Sequence, residues 1–155
     1  MSDEKETPGV IAPPPLIYLG GLAIGFGLDA VLPSASVPPA VRWPVGGGLI
    51  LAGGALMRTF FAEFGRAHTP VSPYSPSTAL VTTGPYRLSR NPAYLGMALV
   101  YAGIATATQT LWALAPLAAV LGIVDRGVIA REERYLERSF GYEYARYKAH
   151  TRRWL

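Results

Sequence analysis

The residues best suited to chemistry lie in a polar loop that leads directly into an apolar segment. Asn91 and Pro92 stand where the polar loop ends. Asparagine is a good N-cap and proline fits the first helical position, so this pair predicts the start of a helix. The free N–H groups and positive dipole end of such a helix bind anions such as a carboxylate. Two arginines and two tyrosines surround this helix start, which indicates a cofactor pocket: Arg87, Arg90, Tyr86 and Tyr94.

A second group of charged residues follows the last apolar segment. Residues 128–140 have the pattern of an amphipathic helix that ends at Gly141. Glu132 and Glu133 flank the centre of its apolar stripe, and three arginines face the other way: Arg131, Arg134 and Arg138. An inward carboxylate needs a partner, because an unpaired buried charge is costly. That partner is either a structural arginine, for which Arg126 lies on the same side, or a cationic ligand.

The elements that must position these residues have the composition of a membrane protein. Half of the 155 residues are hydrophobic and only 15% are charged, against roughly 25% in ordinary soluble domains. Apolar segments occur at about residues 14–32, 45–64, 92–108 and 111–130. Each approaches the roughly 20 residues that cross a bilayer, the third being short. We therefore expect an all-α fold, a multi-pass bundle of four transmembrane helices followed by a C-terminal cytoplasmic amphipathic helix.

The distribution of lysine and arginine predicts the orientation of this bundle. These residues gather in the loop after the second segment and in the C-terminal tail, whereas the first loop holds only Arg42 and the third holds none. Both termini are therefore expected on the cytoplasmic side of the membrane. The acidic N-terminus argues against a signal peptide. We expect one membrane domain over residues 1–155, with a helical pair in residues 1–64 and a cofactor-binding half in residues 65–155.

Several kinds of chemistry are not expected. The chain has no cysteine, so it forms no disulfide and offers no thiolate. His68 and His150 are far apart and show no metal-ligand spacing. We expect the membrane and a lipid or lipophilic small molecule as partners, and neither a metal nor nucleic acid.

Two motifs together resemble those of the isoprenylcysteine carboxyl methyltransferase family, which extends to phospholipid N-methyltransferase-like bacterial proteins. They are LVTTGPYRLSRNPAYLG at residues 80–96 and REERYLERSFGYEYARYK at residues 131–148. The resemblance covers about half the chain, from Thr78 to the C-terminus. It implies an integral membrane enzyme that uses S-adenosylmethionine (SAM) without a Rossmann domain. It also implies a cytosol-facing cofactor pocket and a tunnel that admits a lipophilic acceptor from the bilayer.

Carried over position by position, the resemblance implies ten cofactor contacts: Thr78, Ala79, Leu80, Val81, Tyr86, Asn91, Pro92, Ala93, Tyr94 and Glu132. The prenylcysteine enzymes have histidine in place of Asn91, and an arginine for the substrate carboxylate in place of Val128. Either Arg126 substitutes for that arginine or the acceptor carries no carboxylate, which favours a lipid amine. Glu133 and Tyr147 are the candidate proton acceptors, so the candidate catalytic residues are Arg126, Glu133 and Tyr147.

The groups of SAM match the residue types available. The helix start at Asn91 suits its carboxylate, Glu132 its ammonium, and the tyrosine faces its adenine or sulfonium. Methyl transfer needs in-line placement and a dry site more than a strong acid or base. Two other classes remain open: an NADPH-dependent membrane reductase of the sterol-reductase type, and a non-catalytic lipid-binding membrane protein.

Overall fold

The computed structural model describes residues 7–72 and 75–155, and within these residues the fold is all-α, as the sequence predicted. The five helices are α1 (Pro14–Val31), α2 (Pro39–Arg66), α3 (Pro92–Ala107), α4 (Leu114–Val124) and α5 (Ala130–His150). Short 3-10 turns, Gly84–Arg87 and Leu111–Ala113, precede α3 and α4, and a π-helical turn, Asp125–Ile129, joins α4 to α5. The first six residues of the acidic N-terminus and residues 73–74 of the proline-rich loop lie outside the described residues.

Proline starts three of the helices. Pro14, Pro39 and Pro92 each occupy the first helical position, where the missing N–H has no intrahelical partner to lose. α3 begins at the predicted residue. α2 begins six residues before the predicted start at Val45, because Pro44 lies close to the N-terminal end and removes only one intrahelical hydrogen bond there.

Three helical stretches are long and apolar enough to cross a membrane, namely Pro14–Val31, Pro39–Arg66 and Leu111–His150. α3 has 16 residues, which at 1.5 Å per residue is about 24 Å. That length is shorter than the roughly 30 Å of a bilayer core. The chain is thus a membrane protein by the length and apolarity of three helices, and the crossing by α3 stays a prediction.

The fourth apolar segment and the amphipathic helix form one continuous helical stretch rather than two separate helices. No proline follows Pro116, so nothing between α4 and α5 forces a break. Gly141 does leave helical geometry, with φ 47° and ψ −118°, but the helix resumes and continues to His150. The predicted end at Gly141 is therefore a kink. α5 is polar, and we place it outside the membrane-spanning part.

α2 and α3 form the most extensive helix pair, and glycines line their contact. A Cβ atom on Gly53 would lie 2.6 Å from the carbonyl oxygen of Gly96, and one on Gly103 would lie 2.7 Å from that of Gly46. Such small residues let two backbones approach closely. α1 packs against α4, and the buried core lies among α1, α3 and the α4–α5 stretch: Tyr18, Tyr101, Ala105, Val120, Val124, Val128 and Ile129. This packing brings the start of α3 beside the start of α5.

Candidate functional site

A cavity of about 340 Å³ lies where the loop before α3, the start of α3 and the two halves of α5 meet the end of α2. Its volume is within the range of small-molecule sites. Most of the lining is apolar. The helical pair of the N-terminal half contributes to this lining, through the start of α1 and the last turns of α2, so the cavity is not built from residues 65–155 alone.

The structure brings most of the predicted site residues to this cavity. Eight of the ten predicted cofactor contacts line it: Ala79, Leu80, Val81, Tyr86, Asn91, Ala93, Tyr94 and Glu132. Two of the three candidate catalytic residues, Glu133 and Tyr147, line it as well. Residues that are far apart in sequence therefore meet around one space, as the two motifs indicated.

Three predicted residues do not line the cavity. Thr78 is exposed, and its side chain donates to the carbonyl oxygen of His68 at 3.4 Å. Pro92 is fully buried behind the wall. Arg126 is exposed on the π-helical turn, away from the lining residues. The structure thus gives Arg126 no access to the cavity, and the idea that it replaces the substrate arginine has no geometric support.

Glu132 faces the cavity without a basic partner among the described residues. Its Oε1 atom accepts a hydrogen bond of 2.7 Å from the hydroxyl of Tyr94. Burial raises the pKa of this carboxyl to about 7; the bond from Tyr94 opposes the rise, and the charge of Glu133 adds to it. A carboxylate that burial makes costly to ionise, with one neutral donor, is suited to a cationic ligand.

Glu133 has the opposite environment. The Nη2 atom of Arg90 lies 2.8 Å from its Oε1 atom, and the Nη2 atom of Arg153 lies 2.6 Å from its Oε2 atom. Burial on its own would raise the pKa of Glu133, but the hydrogen bonds and charges of Arg153 and Arg90 outweigh it and lower that pKa. Glu133 therefore has structural arginine partners, and this makes it a poor proton acceptor.

The C-terminal residues 151–155 hold this arrangement together. Arg153 also pairs with Asp125 at 3.0 Å, and the indole N–H of Trp154 donates to the same carboxylate at 3.0 Å. Arg90 donates from its backbone to the carbonyl oxygen of Arg152 at 2.9 Å. The tail thus ties the loop before α3 to the junction of α4 and α5. Sequence reasoning missed Arg153; the available signal was Asp125, a carboxylate near an apolar segment that required a partner.

Asn91 precedes α3 as predicted but does not act as predicted. Its side chain makes no capping hydrogen bond and instead donates from Nδ2 to the carbonyl oxygen of Arg153 at 2.9 Å. The first-turn N–H groups of an α-helix have no intrahelical acceptor. Because no side chain of residues 7–72 and 75–155 caps them, the helix start beside Ala93 and Tyr94 can still bind an anion.

Aromatic rings form the apolar wall. The ring of Tyr86 lies 6.3 Å from that of Phe60 and 6.1 Å from that of Phe64, centroid to centroid. Tyr147 donates from its hydroxyl to the carbonyl oxygen of Tyr86 at 2.7 Å. Burial raises the pKa of both tyrosines, so both stay neutral. The α2 phenylalanines were not predicted, because α2 has no motif that marks one face.

Comparison with known proteins gives one family and two relatives. A family model described as phospholipid methyltransferase matches residues 41–143, which is more than half of the chain. The cobalt-zinc-cadmium resistance protein CzcN of Cupriavidus metallidurans is 36% identical over 75 residues, which are 48% of this chain and 34% of that protein. An uncharacterized protein of Haemophilus influenzae is 51% identical over 51 residues, which are 30% of this chain and 81% of that protein. The match thus spans about a third of the length of CzcN.

Proposed function

Because this chain belongs to the phospholipid methyltransferase family, we propose that it is an integral membrane methyltransferase that uses SAM and methylates a lipophilic acceptor. The acceptor that we favour is a phospholipid amine. The observation that carries the proposal is Glu132, an inward carboxylate with no cationic partner among the described residues, in a mainly apolar cavity.

The cavity residues fit the chemical groups of SAM. Glu132 is available for the ammonium, and its bond from Tyr94 leaves its second oxygen free of a described partner. The uncapped start of α3 suits the carboxylate. The ring of Tyr86, backed by Phe60 and Phe64, suits the adenine. We therefore assign cofactor binding to these residues.

SAM, when bound, supplies an electrophilic methyl group. The residues of the chain contribute position and exclusion of water rather than acid–base chemistry. The aromatic wall keeps water away and disfavours the charged form of an amine acceptor, which leaves the neutral amine as the nucleophile. Glu133 is paired with two arginines and Tyr147 is a neutral hydrogen-bond donor, so we do not assign a general base to either.

The charges around the cavity favour an amine over a carboxylate as acceptor. Arg90 lines the cavity, but it is paired with Glu133. Arg126 is outside, and Val128 stands in place of the arginine expected for a carboxylate substrate. A buried carboxylate without a cation carries a desolvation penalty. This supports a lipid amine and argues against prenylcysteine.

The same geometry bears on the rival enzyme class. A cofactor with a 2′-phosphate calls for arginines that face its pocket, and the four arginines of α5 are exposed and absent from the cavity lining: Arg131, Arg134, Arg138 and Arg146. This favours SAM over NADPH. We further propose that α3 crosses the membrane with the other three spans and that both termini are cytoplasmic, in a bacterial inner membrane.

The acceptor is tested by a methyl-transfer assay with radiolabelled SAM in detergent, in which phosphatidylethanolamine and a prenylcysteine are offered separately. We expect label in the phosphatidylethanolamine product and little in the prenylcysteine product. Arg126→Ala should leave the transfer unchanged. Strong methylation of prenylcysteine that Arg126→Ala abolishes would show that our choice of acceptor is wrong.

A further inference from the structure

A second depression, of about 490 Å³, lies on the other side of Tyr147 from the cavity, and the proposed methyl transfer uses none of its charged residues. One wall is the turn Gly84–Arg87 with the residues before it, and the other is the part of α5 after the kink at Gly141. We call it the basic groove and define it by five residues that line it: Thr82, Arg87, Arg146, His150 and Thr151.

One face of α5 forms one side of the basic groove. Arg146 and His150 are four residues apart on α5, so their side chains lie on the same side. Tyr147 holds the opposite wall in place, because its hydroxyl donates to the carbonyl oxygen of Tyr86 at 2.7 Å, next to Arg87. The cations of the two walls therefore face one shared space.

Four of the five side chains that define the basic groove have no hydrogen-bond or ion-pair partner among the described residues. Within residues 7–72 and 75–155, the exposed side chains of Arg87 and Arg146 make no ion pair and no hydrogen bond, and the hydroxyls of Thr82 and Thr151 make no hydrogen bond. His150 donates from Nδ1 to the carbonyl oxygen of Arg146 at 2.8 Å. In the neutral ring this leaves Nε2 as an acceptor, so the donors of the groove are those of the arginines and threonines.

Charge and donor chemistry together indicate the ligand. Glu143 is the one carboxylate in the described lining, so the two unpaired arginines leave the groove with net positive charge. Two guanidinium groups with two hydroxyls are the donors that recognise phosphate oxygens. A carboxylate is smaller and offers fewer acceptors for this many donors.

The surroundings favour a lipid phosphate over a free one. Leu88, directly after Arg87, is 73% exposed, and Tyr142, directly before Glu143, is 82% exposed. Exposed aromatic and aliphatic side chains beside basic residues are typical of the bilayer interface, where a ligand has both a charged headgroup and acyl chains. We propose that the basic groove binds the phosphate of an anionic phospholipid headgroup, at a site separate from that of the methyl acceptor.

The test is a titration of the full chain in a neutral maltoside detergent, by calorimetry, with short-chain phosphatidylglycerol. Each of Arg87→Gln and Arg146→Gln should weaken binding about fivefold, since one arginine near an anionic lipid is worth about 1 kcal/mol. Arg134→Gln, an exposed α5 arginine outside the groove, should bind as the unmodified protein does. Higher salt should weaken binding in the unmodified protein.

Two further titrations distinguish a lipid phosphate from free phosphate. Short-chain phosphatidylcholine, whose headgroup carries no net charge, should bind more weakly than phosphatidylglycerol, and inorganic phosphate should bind more weakly still. The proposal is overturned if both groove variants bind phosphatidylglycerol like the unmodified protein, or if inorganic phosphate binds as tightly as the lipid. Melting temperatures of the variants, expected to be unchanged because both side chains are exposed, show that folding is not the cause. No methyl transfer is measured, so the result is independent of the proposed activity.

Discussion

Adjacent glutamates at the start of α5 have pKa values shifted in opposite directions because their partners differ. Glu133 is 7% exposed and lies between Arg90 and Arg153, which keep it ionised. Glu132 has only the hydroxyl of Tyr94, and burial raises its pKa to about 7. The arginines that satisfy one carboxylate thus leave the other without a cation. In the proposed enzyme, Glu133 stabilises the site and Glu132 binds the cofactor.

The raised pKa of Glu132 predicts how SAM affinity depends on pH. An ammonium ligand favours the ionised carboxylate, and the free site is mostly protonated below about pH 7. Affinity should therefore begin to fall at about pH 7 and approach a tenfold loss per pH unit by about pH 5.5. Calorimetric titration over this range measures it. Glu132→Gln should bind weakly with no such slope; a level profile in the unmodified protein would contradict the assignment.

Residue-level reasoning from sequence identified the inward pair of glutamates but not their partners. Helical periodicity places Glu132 and Glu133 on one face, because that depends only on spacing along the chain. The choice of partner depends on where the C-terminal tail folds. The residues around Arg153 give no sign that it is paired, because they are as polar as the rest of the tail. Only its long-range contacts with Asp125 and Glu133 distinguish it from the other basic residues there.

Among the helices, α2 and α3 form the pair that sets the position of the cavity. Met57, Phe60 and Phe64 on α2 and Tyr94 on α3 all line it. The two helices approach closely at glycines, so the width of the cavity depends on backbone contacts outside it.

The helix starts at Pro14 and Pro92 could be predicted from the chain, and so could a departure from helical geometry at Gly141, because each is local chemistry. The start of α2 at Pro39 and the continuation of α5 past Gly141 were missed. Which face of α2 meets α3 could not be predicted, since α2 has glycines on several faces.

Neighbouring glycines of α2 provide a matched test of this contact. A Cβ on Gly53 would lie 2.6 Å from the carbonyl oxygen of Gly96, whereas one on Gly54 would meet no atom within 4 Å. Gly53→Ala should lower the free energy of unfolding by about 1–3 kcal/mol through overpacking. Gly54→Ala should leave it unchanged or slightly higher, since alanine favours the helix. Thermal unfolding in detergent, followed by circular dichroism, compares them; equal melting temperatures would contradict the close α2–α3 contact.

At the scale of the whole molecule, the four apolar segments and the arginine distribution predict one topology. Three helical stretches have the length and apolarity to cross a membrane, and the crossing by the shorter α3 decides whether the number of spans is even. If α3 crosses, the loop before it and the tail after α4 lie on the same side. The cavity requires this arrangement, because it is built from both.

Cysteine labelling tests that topology, and the natural chain contains no cysteine to interfere. Arg87→Cys and Arg134→Cys should both react with a membrane-impermeant reagent only when it is added to the cytoplasmic side. Ser36→Cys, in the exposed loop between α1 and α2, should react only from the other side. Labelling of the first two positions from opposite sides would rule out the four-span arrangement.

The whole account depends on which cofactor binds beside Glu132, and calorimetric titration of the purified chain with SAM and with NADPH measures this most directly. The account predicts that SAM binds and NADPH does not. Glu132→Gln should weaken SAM binding more than tenfold, because a charge-assisted hydrogen bond becomes a neutral one. Arg134→Gln, on the exposed face of α5, should change it little. Tighter binding of NADPH, or equal losses of SAM affinity in the two variants, would contradict the account.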